Sequence, residues 1–331
     1  MNGKAILFGR ERFTAELDWT AIAPLLPGWT IRCCPRADLL AHLGGIDVVC
    51  PFGAQVDAAV LEAGAFGLVQ QYGVGLEKID LDRAAELGVW VARIPGEAGG
   101  NADSVAELAV LQLLALLRQL DDARAALVDG RWDSRPTGGS LLGATVAIVG
   151  LGAIGSALAV RLAPFGTKLI GVRAHPARGA PAMVHQIVGP AQLADVLGQC
   201  DAVVCCAMFD GGNAKMFDAA AFAAMKPGAI FVNVARGGLV DEVALLAALE
   251  SGQVGAAGLD VHAVEPADPG SELLRHRKVL ATPHVGGLTY EMFYRSAAVF
   301  AENLLRWAAG EPPRWAANSP ATQRQRATRQ R

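Results

Sequence analysis

The sequence predicts an α/β protein of two doubly wound parallel-sheet domains. Short apolar runs alternate with helical stretches along most of the chain. One such run, 145–149, leads straight into a glycine loop and then a helix. The 331 residues, 52% hydrophobic and 18% charged, suffice for two cores.

In the first part, 5–8, 48–50 and 68–70 read as strands, and 54–62 and 81–87 as helices between or just after them. This alternation implies a parallel sheet with crossover helices. Residues 104–128 hold no Gly or Pro and predict one helix about 37 Å long at 1.5 Å per residue. Gly130 and the WDSRP segment end it. Its apolar residues run most of the way round, so burial on several sides is expected, including by a second subunit.

A cleaner alternation follows. Strands are expected at 145–149, 168–172, 202–206, 230–234, 256–261 and 279–281, with helices at 156–165, 191–197, 219–225 and 242–251. No strand follows the last helix, 290–309, which is expected to return to the first domain. From Ser319 the chain is polar and basic, with Arg324, Arg326, Arg329 and Arg331, and reads as a solvated, disordered end.

Composition limits function. A net charge of -3 supplies no basic field for nucleic acid. The apolar run 5–8 is broken by Gly9, Arg10, Glu11 and Arg12, too early for a signal peptide or membrane span. The apolar stretch 104–120 carries Glu107, Gln112 and Arg118, so it reads as a buried helix. Six cysteines without a Cys-x-x-Cys pair read as free thiols in a reducing cytoplasm, with no metal site.

The glycine loop is GLGAIG at 150–155. Gly150 would make the tight turn, Gly152 would admit a pyrophosphate and Gly155 would let helix and strand pack closely. The helix N-terminus offers unpaired N–H groups to phosphates. The next strand ends in LIGVRAHPAR, where NAD-binding domains place an acid for the ribose hydroxyls. Arg173 stands there instead; a guanidinium grips a 2′-phosphate, and His175 and Arg178 add positive charge, so NADP is preferred over NAD. Arg236, Glu265 and His284 each follow a predicted strand, where α/β sheets place ligands. A fixed cation, a histidine proton donor and a carboxylate to orient it suit reduction of a keto acid.

The segments QQYGVGLEKIDLDRAAELGVWV, GNADSVAELAV, GLGAIG, NVARGGLVDE, LDVHAVEP and TPHVGG occur in an order and spacing that resemble the D-isomer-specific 2-hydroxyacid dehydrogenase family, which includes phosphoglycerate dehydrogenase and glyoxylate/hydroxypyruvate reductase. The likeness runs from about residue 48 to 309. It implies an NAD(P)-dependent oxidoreductase acting between 2-keto and D-2-hydroxy acids. The implied fold is a Rossmann cofactor domain (103–287) plus a flavodoxin-like substrate domain (1–102 and 288–331, with 319–331 disordered), and the active cleft between them. The resemblance also implies Arg236 as the substrate-orienting cation, His284 as the acid/base and Glu265 as its partner. Tyr72 is a candidate wall of the substrate site, and the N–H groups of Val74 and Gly75 are implied to receive the substrate carboxylate. Cofactor contacts are expected at Ser104, Ala153, Ile154, Ala207, Asn213, Val234, Ala235, Asp260 and Gly286, besides the glycines and Arg173. A homodimer paired through the cofactor domains is implied.

Some positions depart from the family pattern. Met208 replaces a frequent Pro, Asn213 lies near a usual Thr, and PGEAGGNADS reads as a longer loop that turns Glu97 toward the cleft. Phe52 is a further candidate for the pocket wall. Two rival readings share the fold: a nucleotide-sensing corepressor and a formate- or phosphite-type dehydrogenase.

Overall fold

The computed structural model describes residues 4–10 and 21–324. The chain divides into two compact units, one joining residues up to Asn101 with those from Leu288, the other Ala102–Gly287.

The first unit is built on five parallel strands: β1 (Ala5–Gly9), β2 (Thr30–Cys34), β3 (Val48–Cys50), β4 (Leu68–Gln70) and β5 (Trp90–Ala92). Their order, β2-β1-β3-β4-β5, is flavodoxin-like. β1, β3, β4 and β5 are buried throughout, as parallel strands covered on both faces must be. β2 and β5 went unread in the sequence: β2 is a half-exposed edge with Arg32 inside it, and β5 is three residues long. The short helices Ala58–Ala63 and Leu81–Glu86 start at Asp57 and Asp80, whose carboxylates accept the Val60 and Arg83 N–H groups at 3.1 and 2.9 Å. Helix Tyr290–Ala308 covers one face of the sheet, burying Phe300, Leu304 and Trp307 with Phe8, Leu68 and Trp90.

One expectation fails in this unit. Residues 96–99 of the supposed loop form a helical turn, and Gly99 packs so close to the Tyr290–Ala308 helix that a Cβ would meet Ser296 Oγ at 2.6 Å. Residues 315–318 run along the outer side of β5, whose edge offers backbone groups that need partners. Ala317 N–H donates to Val91 at 2.7 Å, Asn318 accepts from Val91 and donates to Val89, and Arg324 N–H donates to Gly88 at 2.7 Å. Residues 325–331, with three of the arginines, lie outside the described residues.

The second unit has seven parallel strands in the Rossmann order β12-β11-β10-β9-β6-β7-β8. They are β6 (Thr145–Val149), β7 (Lys168–Val172), β8 (Val184–Val188), β9 (Ala202–Cys205), β10 (Ala229–Asn233), β11 (Val254–Leu259) and β12 (Val279–Ala281). β8 was not foreseen; as an edge strand it carries exposed His185 and Gln186. Apolar layers cover both faces of the sheet.

The single long helix predicted over 104–128 is two helices, Asn101–Leu117 and Leu120–Val128. Gln119 between them is left-handed, at φ 46. The returning chain explains the break: Gly139 N–H donates to the Leu117 carbonyl at 2.7 Å, and Gln119 Nε2 to the Thr137 carbonyl at 3.0 Å. Nor does this chain bury the helices on all sides, since Leu111, Leu120, Leu127 and Val128 are exposed. Among the described residues no helix is long and apolar enough to cross a membrane.

Candidate active site and dinucleotide loop

The three glycines of the loop are needed for three different reasons. Gly150 has φ 101, and a Cβ there would lie 2.5 Å from the backbone of Ala207 at the end of β9. A Cβ on Gly155 would sit 2.0 Å from the Gly150 carbonyl oxygen. Gly152 faces open space, with nothing within 4 Å of its Cβ position. It caps helix Ala153–Leu162, and the Ser156 N–H makes the bond back to its carbonyl at 2.9 Å. The N–H groups of Ala153, Ile154 and Gly155 precede that bond and have no intrahelical acceptor. An open approach facing free donors at a helix N-terminus fits a dinucleotide pyrophosphate.

Arg173 follows β7, and its N–H bonds to Val188 at 3.0 Å. Its guanidinium is half-buried and donates to the Gly179 carbonyl. His175 and Arg178 are exposed beside it. Asn213 turns into its own loop, exchanging hydrogen bonds with Asp210 at 3.2 Å and donating to the Met208 carbonyl at 2.8 Å.

Arg236 stands just past β10. Fully buried Asn233 fixes this turn, accepting the Ala235 N–H at 3.1 Å and donating to the Arg236 carbonyl at 3.0 Å. The Arg236 guanidinium donates to the Ala235 carbonyl at 2.8 Å, and Val234 and Ala235 are buried beneath it. Two strands on, Glu265 and His284 meet: His284 Nδ1 and Glu265 Oε2 are 2.9 Å apart. Burial alone would raise the Glu265 carboxyl, but the hydrogen bond and charge of His284, with the His262 N–H, outweigh it and hold the group at about 2 instead of 4.5.

Asp260 organises the loop that carries His284. Its carboxylate, 2% exposed, accepts Thr282 Oγ1 at 2.6 Å and the N–H groups of Val285 and Gly286 at 2.8 Å each. Its carbonyl accepts the His284 N–H, also at 2.8 Å. His284 is left-handed, at φ 54, a conformation that non-glycine residues hold only when surroundings enforce it. Val105, one residue past buried Ser104, packs against Gly286. Asn233, His262 and Thr282 are not legible as site residues in the sequence: each lies inside one of the segments NVARGGLVDE, LDVHAVEP and TPHVGG, but side-chain burial leaves no one-dimensional signal.

In the first unit, Tyr72 is buried, its hydroxyl donates to the Phe293 carbonyl at 2.8 Å, and its ring stacks on left-handed Phe52 at 5.8 Å. The following turn is pinned by Gln71 Nε2 on the Gly75 carbonyl at 2.9 Å and by Ile94 N–H on the Gly73 carbonyl at 3.0 Å. Among the described residues the N–H groups of Val74 and Gly75 reach no backbone acceptor in this turn. Glu97 is exposed on the 96–99 helical turn.

Residues 110–286 match the family model described as D-isomer specific 2-hydroxyacid dehydrogenase, NAD binding domain. The chain is 40% identical to D-3-phosphoglycerate dehydrogenase of Mycobacterium leprae over 83% of its own length and 52% of that protein, so it spans about half of that relative. It is 34% identical to hydroxypyruvate reductase of Thermotoga maritima, covering 82% of this chain and 88% of that one. Its fold is similar to that of the NADPH-dependent glyoxylate/hydroxypyruvate reductase of Sinorhizobium meliloti, solved with NADP and malonate, with a TM-score of 0.78 at 27% identity over 99% of this chain and all of the other. With its two parallel sheets, its glycine loop and its His284–Glu265 pair, this chain belongs to the D-isomer specific 2-hydroxyacid dehydrogenase family.

Proposed function

We propose that this protein is a reductase of 2-keto acids, working reversibly on D-2-hydroxy acids and preferring NADPH to NADH. The His284–Glu265 pair at 2.9 Å carries this reading, because it sets an oriented proton donor at the sheet edge that also holds Arg236. Residues 103–287 would hold the cofactor, whose nicotinamide supplies the hydride when bound. Residues 1–102 and 288–331 would supply the substrate turn. The Arg236 guanidinium would orient the substrate and polarise the keto oxygen. His284 donates its Nε2 proton to that oxygen, and Glu265 stabilises the imidazolium and fixes its orientation. Gly150, Gly152 and the N–H groups of Ala153, Ile154 and Gly155 cradle the pyrophosphate. Ser104, Ala207, Asn213, Val234, Ala235, Asp260 and Gly286 line the rest of the cofactor site.

The single Arg173 in place of an acid supports the NADP preference. Exposed Leu111, Leu120, Leu127 and Trp132 support a homodimer through the second unit. The buried thiols of Cys34, Cys50, Cys200, Cys205 and Cys206 support a reducing, cytoplasmic setting. The test is initial-rate kinetics on a panel of 2-keto acids, glyoxylate, hydroxypyruvate and pyruvate among them, with each cofactor. Turnover with NADPH is expected; tight cofactor binding without turnover of any acid overturns the reading.

A further inference from the structure

His262 has no part in the chemistry above, yet it touches all three turns that carry it. Its carbonyl group lies against Gly237, where a Cβ would come within 2.0 Å of His262 C and O; this seats the turn of Arg236. Its backbone N–H donates to Glu265 Oε1 at 3.2 Å. Its ring Nε2 bonds the Thr282 carbonyl at 3.0 Å, and since a carbonyl only accepts, Nε2 carries the proton. The same carbonyl accepts the His284 N–H, also at 3.0 Å. From the other side Thr282 Oγ1 is held by Asp260 at 2.6 Å and by Nε2 of fully buried Gln112 at 3.4 Å.

The remaining ring nitrogen of His262, Nδ1, is buried with no hydrogen-bond partner among the described residues. The residue as a whole is 8% exposed. An aromatic hydrocarbon of the same shape would fill this space without stranding a polar atom, so packing does not account for a histidine here. What a hydrocarbon ring cannot do is donate to Thr282.

We propose that His262 is a positioning residue: by donating to the Thr282 carbonyl it holds His284 in its left-handed conformation and keeps the turns of Arg236, Glu265 and His284 in one register. This rests on the reading of His284 as the acid/base. A small misplacement of a proton donor costs much of the rate. In the full-length protein with NADPH and its best keto acid, His262→Phe is expected to lower kcat about 10- to 100-fold, with the KM values and melting temperature little changed. His262→Gln, whose amide nitrogen reaches a similar place, is expected to recover most of that rate. Amide hydrogen exchange at His284, Val285 and Gly286 is expected to quicken in His262→Phe and to slow again in His262→Gln. A His262→Phe protein with wild-type kcat and wild-type exchange overturns the proposal. If His262→Phe does not fold, His262→Met against His262→Gln makes the same comparison. The exchange arm stands apart from catalysis: wild-type protein that reduces no keto acid refutes the proposed function, while exchange still decides what His262 does.

Discussion

Glu265 Oε2 lies 2.9 Å from Nδ1 of left-handed His284, so one carboxylate fixes both the tautomer and the ring plane of a side chain whose backbone is already constrained. The other oxygen of Glu265 accepts the His262 N–H at 3.2 Å. The carboxylate is therefore anchored at both ends.

The Glu265 carboxyl, at about 2 against an ordinary 4.5, is depressed in the folded state. Its contribution to stability is therefore present above about pH 4.5 and is lost as pH falls toward 2. Melting curves of wild type and Glu265→Gln are expected to differ at pH 7 and to converge toward pH 3. At pH 7 the variant is expected to lose about 10- to 100-fold in kcat. A gap in melting temperature that stays constant from pH 7 to 3 refutes the assignment.

Substitutions in the glycine loop should separate folding from binding. Gly152→Ala adds a methyl group to open space, so its melting temperature is expected to match wild type while its Kd for NADPH, measured by titration calorimetry, rises at least about 10-fold. Gly155→Ala drives a methyl group into the Gly150 carbonyl and is expected to cost about 1–3 kcal/mol in denaturant unfolding. If Gly152→Ala binds NADPH as wild type does, the loop does not hold the pyrophosphate.

Arg173→Ala is expected to reduce kcat/KM for NADPH about 10- to 100-fold, the worth of one or two hydrogen bonds to a charged phosphate, and to leave NADH nearly unaffected. Equal losses with both cofactors would mean that the bond from Arg173 to Gly179 serves only to shape the loop.

Asn318 bridges β5 and the residue before it with two bonds, at 2.8 Å from the Val91 N–H and 2.9 Å to the Val89 carbonyl. Asn318→Ala is expected to destabilise the protein by about 1–3 kcal/mol, read by urea unfolding. A variant as stable as wild type would mean that the segment contributes little to stability.

What the sequence revealed depended on how local the cause was. The glycine loop is partly a local matter, since a side chain at Gly155 would strike the Gly150 carbonyl within the same loop, while Gly150 itself is crowded by Ala207 from β9's end. The Arg236, Glu265 and His284 positions were visible because each lies just past a strongly apolar strand. The break at Gln119 was invisible because its cause, the Leu117 carbonyl claimed by Gly139, lies twenty residues downstream. The pairing of 315–318 with β5 was not legible for the same reason: the composition of that segment says nothing of an edge strand far earlier in the chain that needs partners. β8 was lost because adjacent His185 and Gln186 interrupt the apolar run of a strand at the end of the sheet. Asn233, His262 and Thr282 matter through burial and through whom they bond, and neither is a property of one residue type.

The split of the first unit sets an order of events during synthesis. Its leading residues emerge first, but the helix bearing Phe300, Leu304 and Trp307 follows only after the whole second unit has been made. At 5–20 residues per second, roughly 190 intervening residues take about 10–40 s. For that interval the nascent sheet face holding Phe8, Leu68 and Trp90 has no cover of its own, and by its end the second unit has every strand it needs. The later-made unit is thus free to finish folding before the earlier one, and the exposed face is where chaperone binding during translation would concentrate.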